Sequence, residues 1–553
     1  MKIDRTNGYS AIAAAIICLL VFLRALTCDF INWDDPLYIT ENPAIRMLDW
    51  QFIRESFTVS YMGWWMPLTW ISFAVDYFFW GLNPLGYHLT NILLHAVNTG
   101  LVVLIADGIL QGQGSRTLKG KGQGESEGTG CRVQGKYVYS ASLLLAGLLW
   151  GIHPLRVESV AWVTERKDVL NGFFSLGCVL LYIMYVLGKN RGERGISVVS
   201  PYILSLCAMF LSRAAKPICV VIPAMLLVLD WYPLGRLKQG RIKECLLDKI
   251  PYAVVAAGTA LATLHLAGGE SILVSFADFP VHRRLILAGN SIFEYLKMTI
   301  YPVGLTNLYL LPRAFPLSYY LGAASTVAII IGCAVCRKDR PWFLSVLLLF
   351  LLPLVPVLGF FQNGAQAYAD RFTYLPGVAL SIGMAVAATK AIASKNEFVQ
   401  RFSSLVAILI LAGYCAMSFY LIGAWKTPET LWTRVIKIQP VGRAYYLRAE
   451  YRMRTGQYLD AAEDLVVSIR MGKNAGYPGV FNLLALRGDA LLKAGRFAEA
   501  VTELGQAILL KPHHSYYYHR GLALQALGRY KEAEVDFLYA GDNTGPIVWQ
   551  EFQ

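Results

Sequence analysis

Two adjacent aspartates, Asp34 and Asp35, lie just after the first apolar segment, in "FINWDDPLYITENPAIR" at residues 30–46. Neighbouring like charges repel, so we expect that nearby cations stabilise the pair or that the pair has a functional role. Helix capping before Pro36 explains one aspartate well and two less well. Beside a phosphate-binding cluster, one carboxylate would act as general base on an acceptor hydroxyl, while its neighbour holds the acceptor or sets the pKa of the base. Both are candidate catalytic residues, and a capped turn is the alternative.

Cations near the ends of apolar segments form the second candidate set. An unneeded charge next to hydrocarbon costs about 2.5–3.5 kcal/mol, so each cation should have a partner. The acidic loop at residues 29–86 is one such partner. The phosphate of a membrane lipid is another, since Arg binds phosphate bidentately and Lys adds a point charge. The alternative is local pairing, as between Glu165 and Arg166. The candidates are Arg166, Lys167, Arg213, Lys216, Arg283, Arg284 and Arg371.

The histidines are weaker candidates. His88 and His95 are seven residues apart on one helical face, and we interpret them as packing residues. His153 opens "HPLRVES" beside Arg156 and Glu158, and we take it as a candidate substrate contact. The sequence contains no HExxH motif, cysteine cluster or carboxylate ladder that specifies a metal. We therefore expect neither a metal nor another cofactor.

The composition is that of a membrane protein. Of the 553 residues, 56% are hydrophobic and only 16% are charged, whereas soluble domains carry about 25% charged residues. The net charge of +13 would suit a nucleic-acid partner. However, the basic residues concentrate in short loops between apolar segments, as is typical of cytoplasmic loops. We expect no nucleic-acid partner.

Eleven apolar segments approach the length of about 20 residues that a membrane span needs. Counting Lys and Arg places the N-terminus in the cytoplasm, the C-terminus outside and the acidic loop 29–86 outside. Two further stretches, 64–82 and 284–301, contain internal charges and are predicted to be interfacial helices on the outer side. The glycine-rich segment 111–136 is predicted to be a flexible cytoplasmic linker. The predicted spans are roughly 9–28, 87–109, 137–152, 168–188, 200–213, 217–232, 250–268, 318–336, 341–361, 372–391 and 404–423.

A motif repeats three times in the C-terminal part, as "RTGQYLDAAEDL" (454–465), "KAGRFAEAVTEL" (493–504) and "ALGRYKEAEVDF" (526–537). Gly488 and Gly521 are 33 residues apart. Small residues at such a period let two antiparallel helices approach closely, which is typical of tetratricopeptide repeats. Arrays of this kind bind extended peptides, so the segment is a candidate holder of a protein acceptor.

These patterns predict an all-α chain with two domains. Residues 1–424 would form a polytopic membrane helix bundle, and residues 425–553 a soluble α-solenoid with about three repeats.

Several motifs resemble a known family. The stretches are "FINWDDPLYITENPAIR", "PLTWISFAVDYFFWGLNPLGYHLTNILLHAVN", "HPLRVESVAWVTERKDVL", "LSRAAKP" and "ADRFTYLP". With the module order, they resemble the multispanning glycosyltransferases of the GT-C class. More narrowly, they resemble the transmembrane and tetratricopeptide-repeat O-mannosyltransferases and their bacterial relatives.

The resemblance implies a fold of the GT-C kind over residues 1–424 and an enzyme that transfers a sugar, with mannose as one candidate, from a polyprenyl-phosphate carrier. The acceptor would be Ser or Thr of a protein on the outer face of the membrane, and the anomeric carbon would be inverted. The lipid-linked sugar is the donor substrate, and no cofactor is implied. The short repeat array favours a bacterial inner membrane with the repeats in the periplasm. A eukaryotic host would imply the endoplasmic reticulum membrane.

The resemblance also implies residue roles. Asp34 matches the candidate base of the first outer loop, and Asp35 would contact the acceptor or flanking groups. The "GRAD"-like stretch of the family matches "ERKD" here, although this chain has Glu165 and Lys167 where the family pattern shows Gly and Ala. Lys216 matches a basic residue that binds the carrier phosphate. The residues assigned to donor binding are Arg166, Asp168, Arg213, Lys216, Arg371 and His153.

Two other classes of protein remain open. A non-enzymatic scaffold would use the repeats to recruit envelope proteins and the spans as an anchor, but an anchor needs neither eleven spans nor an acidic loop opposite outer cations. A transporter would use the acidic residues as ion ligands, but transporters place ionisable groups at mid-membrane between broken helices.

Overall fold

The computed structural model describes residues 5–60, 65–120, 129–237, 240–266, 279–360, 366–475, 479–542 and 545–547. Nearly all regular structure in these ranges is α-helical, which confirms the all-α class. The chain divides into two compact units. The first unit is Met1–Cys28 with Asp35–Gly423, and the second is Asp29–Asp34 with Ala424–Gln553.

The first unit is built from helices whose sequences are largely apolar, with one short antiparallel strand pair in which Tyr309 lies opposite Tyr368. Its helices are α1 (Arg5–Phe22), α2 (Trp50–Thr58), α3 (Pro67–Trp80), α4 (Pro84–Gly120), α5 (Thr129–Gly151), α6 (Val157–Ala161), α7 (Arg166–Asn190), α8 (Ile196–Ala215), α9 (Ile222–Trp231), α10 (Ile242–Leu247), α11 (Ile250–Leu266), α12 (Val281–Ile300), α13 (Leu317–Val335), α14 (Pro341–Leu354), α15 (Gly377–Ile392) and α16 (Glu397–Ala424). The strands are β1 (Tyr309–Leu310) and β2 (Gln366–Tyr368).

Within the described residues, seven helices are long and apolar enough to cross a membrane, or eight if the pair Val138–Gly151 and Pro154–Ala161, bent by 52°, is one span. The chain is therefore a multi-pass membrane protein. The other three predicted spans form apolar helices shorter than a membrane crossing needs. They are Ile222–Trp231, Pro341–Val357 and Gly377–Ile392. A count of eleven is reached only by including these three.

The two charged apolar stretches, predicted to be interfacial, form α3 and α12, and neither helix is long and apolar enough to cross a membrane. The 14 residues of α3 are too few. Although α12 has 20 residues, it includes Arg283, Glu294 and Lys297. Charges of this kind within one helix disfavour full insertion into hydrocarbon.

Most of the segment 111–136, predicted to be a flexible linker, is helical instead. Helix α4 continues to Gly120, and α5 begins at Thr129. Residues 121–128 of that prediction lie outside the described residues. The glycine count misled the prediction, because single glycines in a helix cost only about 1 kcal/mol each.

The second unit contains three helix pairs that follow a single helix, in agreement with three predicted repeats. A Cβ added at Gly488 would lie 2.5 Å from Leu504 Cγ, and one added at Gly521 would lie 2.7 Å from Phe537 Cε1. The 33-residue period therefore marks the two positions where paired helices touch. The helices are α17 (Pro428–Ile438), α18 (Gly442–Arg454), α19 (Tyr458–Ala475), α20 (Val480–Lys493), α21 (Phe497–Leu510), α22 (His514–Ala526) and α23 (Tyr530–Ala540).

Residues 29–34 group with the second unit, which the predicted boundary after residue 424 did not include. Asn32 Nδ2 donates to the Leu447 carbonyl at 2.7 Å, and Trp432 Nε1 donates to Asn32 Oδ1 at 2.8 Å. Trp33 stacks on Trp432 with ring centroids 5.1 Å apart. An aromatic and amide contact between segments some 400 positions apart in the chain leaves no periodic signal in the sequence.

The close approach at Gly488 gives a testable prediction. Gly488→Ala should destabilise the α20–α21 pair by about 1–3 kcal/mol, because buried Leu504 must move. Backbone hydrogen exchange of the full chain in detergent would report this as faster exchange in α20 and α21. The matched control is Gly505→Ala, whose Cβ meets only Arg520 Nη1 at 3.6 Å, an ordinary contact. Equal exchange in the two variants would contradict the prediction.

Candidate functional site

Six charged side chains of the first unit form a buried group, here called the charge cluster: Glu158, Glu165, Lys167, Asp168, Lys216 and Arg371. The carboxylate of Glu165 lies at its centre. Its Oε1 atom is 3.2 Å from Lys167 Nζ and 3.3 Å from Arg371 Nε, and its Oε2 atom is 3.6 Å from Lys216 Nζ. Three cations therefore surround one carboxylate. The Glu165 side chain is only 1% exposed, so water has little access to it.

Four separate parts of the chain bring these residues together, and one of them is α6, which carries Glu158. A 3-10 turn at Val163–Glu165 leads into α7, so that Glu165, Lys167 and Asp168 lie at the N-terminus of that helix. Lys216 directly follows the last residue of α8. Arg371 lies in a second 3-10 turn, Asp370–Thr373, shortly before α15.

The two other acids pair with the same cations. Asp168 Oδ1 accepts a hydrogen bond from Lys216 Nζ. Glu158 Oε1 accepts from Arg371 Nη1 at 2.6 Å, and its Oε2 accepts from the Arg371 backbone N–H at 2.8 Å. Three carboxylates therefore face three cations. Buried ion pairs of this kind persist only when geometry and additional hydrogen bonds offset the loss of hydration.

An aromatic ring borders the cluster. The Trp162 ring centroid lies 5.8 Å from Lys167 Nζ and 5.5 Å from Arg371 Cζ. Tyr38 adds a second ring at 5.1 Å from Lys167 Nζ. Contacts between cations and ring faces stabilise charge without adding an anion.

In the loop before α15, burial and neighbouring charges have opposite effects on the pKa of Arg371. Burial alone would lower the pKa of Arg371, but the carboxylates of Glu158 and Glu165 outweigh it and raise that pKa, so the guanidinium stays charged. Burial, followed by the charge of Glu158, raises the pKa of Asp370 well above its ordinary value. Tyr309 donates to Asp370 Oδ1 at 2.8 Å, which ties β1 to this loop.

Arg166, predicted to bind donor phosphate together with Lys216 and Arg371, makes its contacts elsewhere. Its side chain is 0% exposed. Its Nη2 atom donates to Asp76 Oδ2 at 2.6 Å and to the Tyr87 carbonyl at 2.8 Å, and its Nη1 atom donates to Ser72 Oγ at 2.5 Å. Its Nε atom donates to Asn91. The guanidinium thus joins α3 and α4 to the start of α7, and its ion pair is with Asp76 rather than Glu165.

His153 and Arg213 also have protein partners. His153 Nδ1 accepts from the Leu155 backbone N–H at 3.2 Å, so its Nε2 donates to the Thr299 carbonyl at 3.0 Å. These bonds make His153 the cap of the turn before α6. Arg213 Nε donates to Thr259 Oγ1 at 2.9 Å, which connects α8 to α11.

The structure gives the two aspartates different surroundings. Asp35 is fully buried in the first unit, and its Oδ1 accepts from the backbone N–H of Thr164 at 3.1 Å and from the Thr164 hydroxyl. Thr164 directly precedes Glu165 in the chain. Asp34 groups with the second unit and is half-buried.

A second buried charged group lies toward the other end of α7. Tyr182 donates to Asp230 Oδ2 at 2.7 Å, and Lys249 also donates to Asp230. Arg236 Nη2 donates to Asp248 Oδ2 at 2.6 Å. Since α7 has 25 residues, it is about 37 Å long. Cations predicted to face the cytoplasm and cations predicted to face outward thus lie at opposite ends of one helix.

Sequence reasoning missed two features of the site. It noted Glu165 only as a local partner of Arg166 and as a departure from a family pattern, whereas the structure places Glu165 at the centre of the cluster. It also missed Asp76 as the partner of Arg166. A single carboxylate within the apolar α3, "PLTWISFAVDYFFW", was a usable signal, because such a charge requires a partner. Within the described ranges, no group of three His, Cys, Asp or Glu side chains forms a metal site.

Comparisons with known proteins add to this geometry. Residues 486–544 match the tetratricopeptide repeat family model. The chain is 29% identical over 237 residues to protein O-mannosyl-transferase tmtc2 of Xenopus laevis, and 30% identical over 194 residues to protein O-mannosyl-transferase TMTC4 of Homo sapiens. It is 31% identical over 153 residues to protein O-mannosyl-transferase Tmtc1 of Drosophila melanogaster.

The chain resembles the transmembrane and tetratricopeptide-repeat O-mannosyltransferases. This confirms the resemblance inferred from the motifs. The matched segments cover 40%, 33% and 28% of this chain and 24%, 22% and 14% of the frog, human and fly proteins. The similarity to these O-mannosyltransferases therefore spans a quarter or less of each relative's length. No solved structure matches the chain.

The burial of Arg166 gives a second prediction. Arg166→Met should leave the carboxylate of Asp76 buried without its cation and destabilise the first unit by about 3–5 kcal/mol. Thermal unfolding of the purified protein in detergent would show a lower midpoint. Adding Asp76→Asn should restore part of the loss, because the unpaired charge is then gone.

The control for this prediction is Arg401→Met, which removes an exposed arginine that pairs with Glu397 on the protein surface. Exposed pairs contribute little to stability, so its unfolding midpoint should match that of the unchanged protein. A midpoint for Arg166→Met as high as that of Arg401→Met would rule out the assigned role of Arg166.

Proposed function

We propose that the chain is an integral-membrane glycosyltransferase. It transfers a sugar from a polyprenyl-phosphate carrier to a Ser or Thr hydroxyl of a protein on the outer face of the membrane, with inversion at the anomeric carbon. The observation that carries this proposal is the convergence of Lys167, Lys216 and Arg371 at one end of α7. The names of the similar proteins, protein O-mannosyl-transferases, support the reaction class and favour mannose among the candidate sugars.

The cations suit the departure of a lipid phosphate. The acceptor oxygen attacks the anomeric carbon, the bond from that carbon to the phosphate oxygen breaks, and the phosphate keeps the electron pair. Negative charge therefore grows on the phosphate, where positioned cations stabilise the transition state. Arg371 supplies two-point hydrogen bonding, and Lys216 and Lys167 supply compact charges. A phosphate leaving group needs little protonation, so the proposal requires one base and no general acid.

Asp34 is the proposed base, which takes the proton of the acceptor hydroxyl. The supporting observation concerns its neighbour. Asp35 is fully buried and already accepts two hydrogen bonds from Thr164, so its carboxylate is committed to holding that loop. Of the two adjacent aspartates, Asp34 is the one with the more exposed side chain.

The roles of the remaining candidates follow from their partners. Asp168 orients Lys216 through an ion pair, and Glu158 orients Arg371. Arg166, Arg213 and His153 position helices. These three side chains are therefore assigned to the support of the site and not to contact with the donor.

A cavity in the first unit offers space for the isoprenoid tail of the carrier. It has a volume of about 450 Å³ and apolar walls, and its lining residues come mainly from α4, α7, α9, α14 and α15. Leu176 lines it eight residues after Asp168 on α7, which is about 12 Å along the helix. One helix thus contributes both to the charge cluster and to the cavity. Apolar walls of this kind suit a hydrocarbon chain.

The proposed location is a bacterial inner membrane, with the repeats in the periplasm holding a protein acceptor. In a eukaryotic host it is the membrane of the endoplasmic reticulum. A non-enzymatic scaffold or a transporter would need no cations gathered around a carboxylate at a helix end, and neither would transfer sugar.

The proposed base can be tested with a radiolabelled polyprenyl-phosphate sugar and membranes that contain the protein. Asp34→Asn should lower transfer to protein by about 10²–10⁴-fold, the contribution of a general base, while expression stays unchanged. Glu55→Gln, an exposed carboxylate of the same acidic loop, is the matched control and should transfer at the unchanged rate. Full transfer by Asp34→Asn would remove Asp34 from its role.

The cavity assignment has its own test. Ala379 lines the cavity, so Ala379→Phe should raise KM for a long-chain donor more than for a donor with a short prenyl chain. Ala388→Phe is the control, because Ala388 lies on the same helix and does not line the cavity. If both variants changed KM equally for both donors, the tail would bind elsewhere.

A further inference from the structure

The carboxylate of Glu165 lies where a bound phosphate would have to compete for the same cations. Lys167, Lys216 and Arg371 all lie within 3.2–3.6 Å of its two oxygens. Among the described residues its Oε2 atom accepts no hydrogen bond from a cation and lies 3.6 Å from Lys216 Nζ, while the Asp168 carboxyl also interacts with the Glu165 side chain. The carboxylate is thus held by charge and only loosely by hydrogen bonds.

Such a carboxylate stabilises the three cations but also hinders the binding of a phosphate. Three buried cations repel one another, and an anion between them keeps them assembled. The same anion repels an incoming phosphate and occupies the donors that the phosphate needs. Lys216 also pairs with Asp168, and Arg371 also pairs with Glu158. These second pairs keep their cations in place when contacts with Glu165 are given up.

We propose that Glu165 is a positioning residue that takes the place of the donor phosphate in the unliganded protein and weakens phosphate binding. The inference rests on the proposed function. When the donor binds, phosphate oxygens replace the Glu165 oxygens as partners of Lys167, Lys216 and Arg371. Transfer breaks the bond from the anomeric carbon to the phosphate oxygen, so the released polyprenyl phosphate carries an additional negative charge. The cations hold this product more tightly than the donor, and Glu165 recovers them as the product leaves.

The proposal predicts opposite changes in affinity and turnover, a pattern that a merely structural residue would not give. Glu165→Gln keeps the size of the side chain and removes its charge. It should therefore bind phosphate about tenfold more tightly or better, with a lower KM for the donor and a lower kcat because product release slows. Loss of a structural carboxylate would instead loosen the cations and weaken binding.

The test measures the Kd of farnesyl phosphate for the full chain in detergent by calorimetry. Glu165→Gln should bind this probe about tenfold more tightly than the unchanged protein. Glu294→Gln is the matched control and should bind it equally well, because Glu294 is a half-buried carboxylate that pairs with Lys297 on α12, outside the cluster. If Glu165→Gln does not fold, the comparison is Lys167→Met against Lys167→Met with Glu165→Gln, and the second of these should bind more tightly.

The outcomes separate this inference from the function on which it rests. Equal or weaker binding by Glu165→Gln, while the unchanged protein binds the probe and transfers sugar, overturns the role of Glu165 and leaves the proposed function intact. If the unchanged protein neither binds farnesyl phosphate nor transfers sugar from a polyprenyl-phosphate donor, the proposed function fails and the inference fails with it.

Discussion

The constraint on which the first unit depends is that charges buried at the end of an apolar helix must be paired. Charge next to hydrocarbon is costly, and a buried ion without a partner is costlier still. The chain meets this constraint at the N-terminus of α7 with two separate groups. One joins Arg166 to Asp76 and holds three helices together. In the other group, Glu165 is surrounded by three cations and keeps them close together.

Adjacent residues of "ERKD" therefore do different work. Arg166 turns toward α3 and α4, whereas Glu165, Lys167 and Asp168 contribute to the charge cluster. Glu165 and Asp168 are three positions apart and lie on one side of the chain, whereas Arg166 between them faces α3 and α4. A motif of four charged residues cannot be interpreted as one binding site, and the partner of each side chain decides its role.

The sequence predicted the fold class and the repeat array well, because both leave periodic signals. Apolar runs indicate helices, and Gly488 and Gly521 mark the close helix contacts of the repeats. The positive-inside count and the family motifs put Lys216, Asp168 and Arg371 in one candidate set with Arg166, Arg213 and His153. The structure brings the first three together around Glu165 and gives the other three separate partners. The sequence could not show that Arg166 is enclosed by protein or that residues 29–34 group with the second unit. Those facts depend on side-chain contacts between distant segments, which a single sequence does not encode in any local pattern.

The glycines in the segment 111–136 led us to predict a linker where the structure has parts of helices α4 and α5. Composition is a weak guide there, because a helix that has already begun extends at little cost per residue. The sequence analysis also missed the central position of Glu165 in the charge cluster. Glu165 looked like a departure from a pattern, while its contacts make it the anion on which three cations converge.

The central claim is that the charge cluster assists the departure of a lipid phosphate from a sugar. The most direct measurement uses the purified full chain, a polyprenyl-phosphate-linked mannose of known anomeric configuration and a Ser- or Thr-containing protein acceptor, with the product configuration determined by NMR. The account predicts transfer to a hydroxyl with the opposite anomeric configuration. Absence of transfer by folded protein, or a product that retains the configuration of the donor, would contradict it.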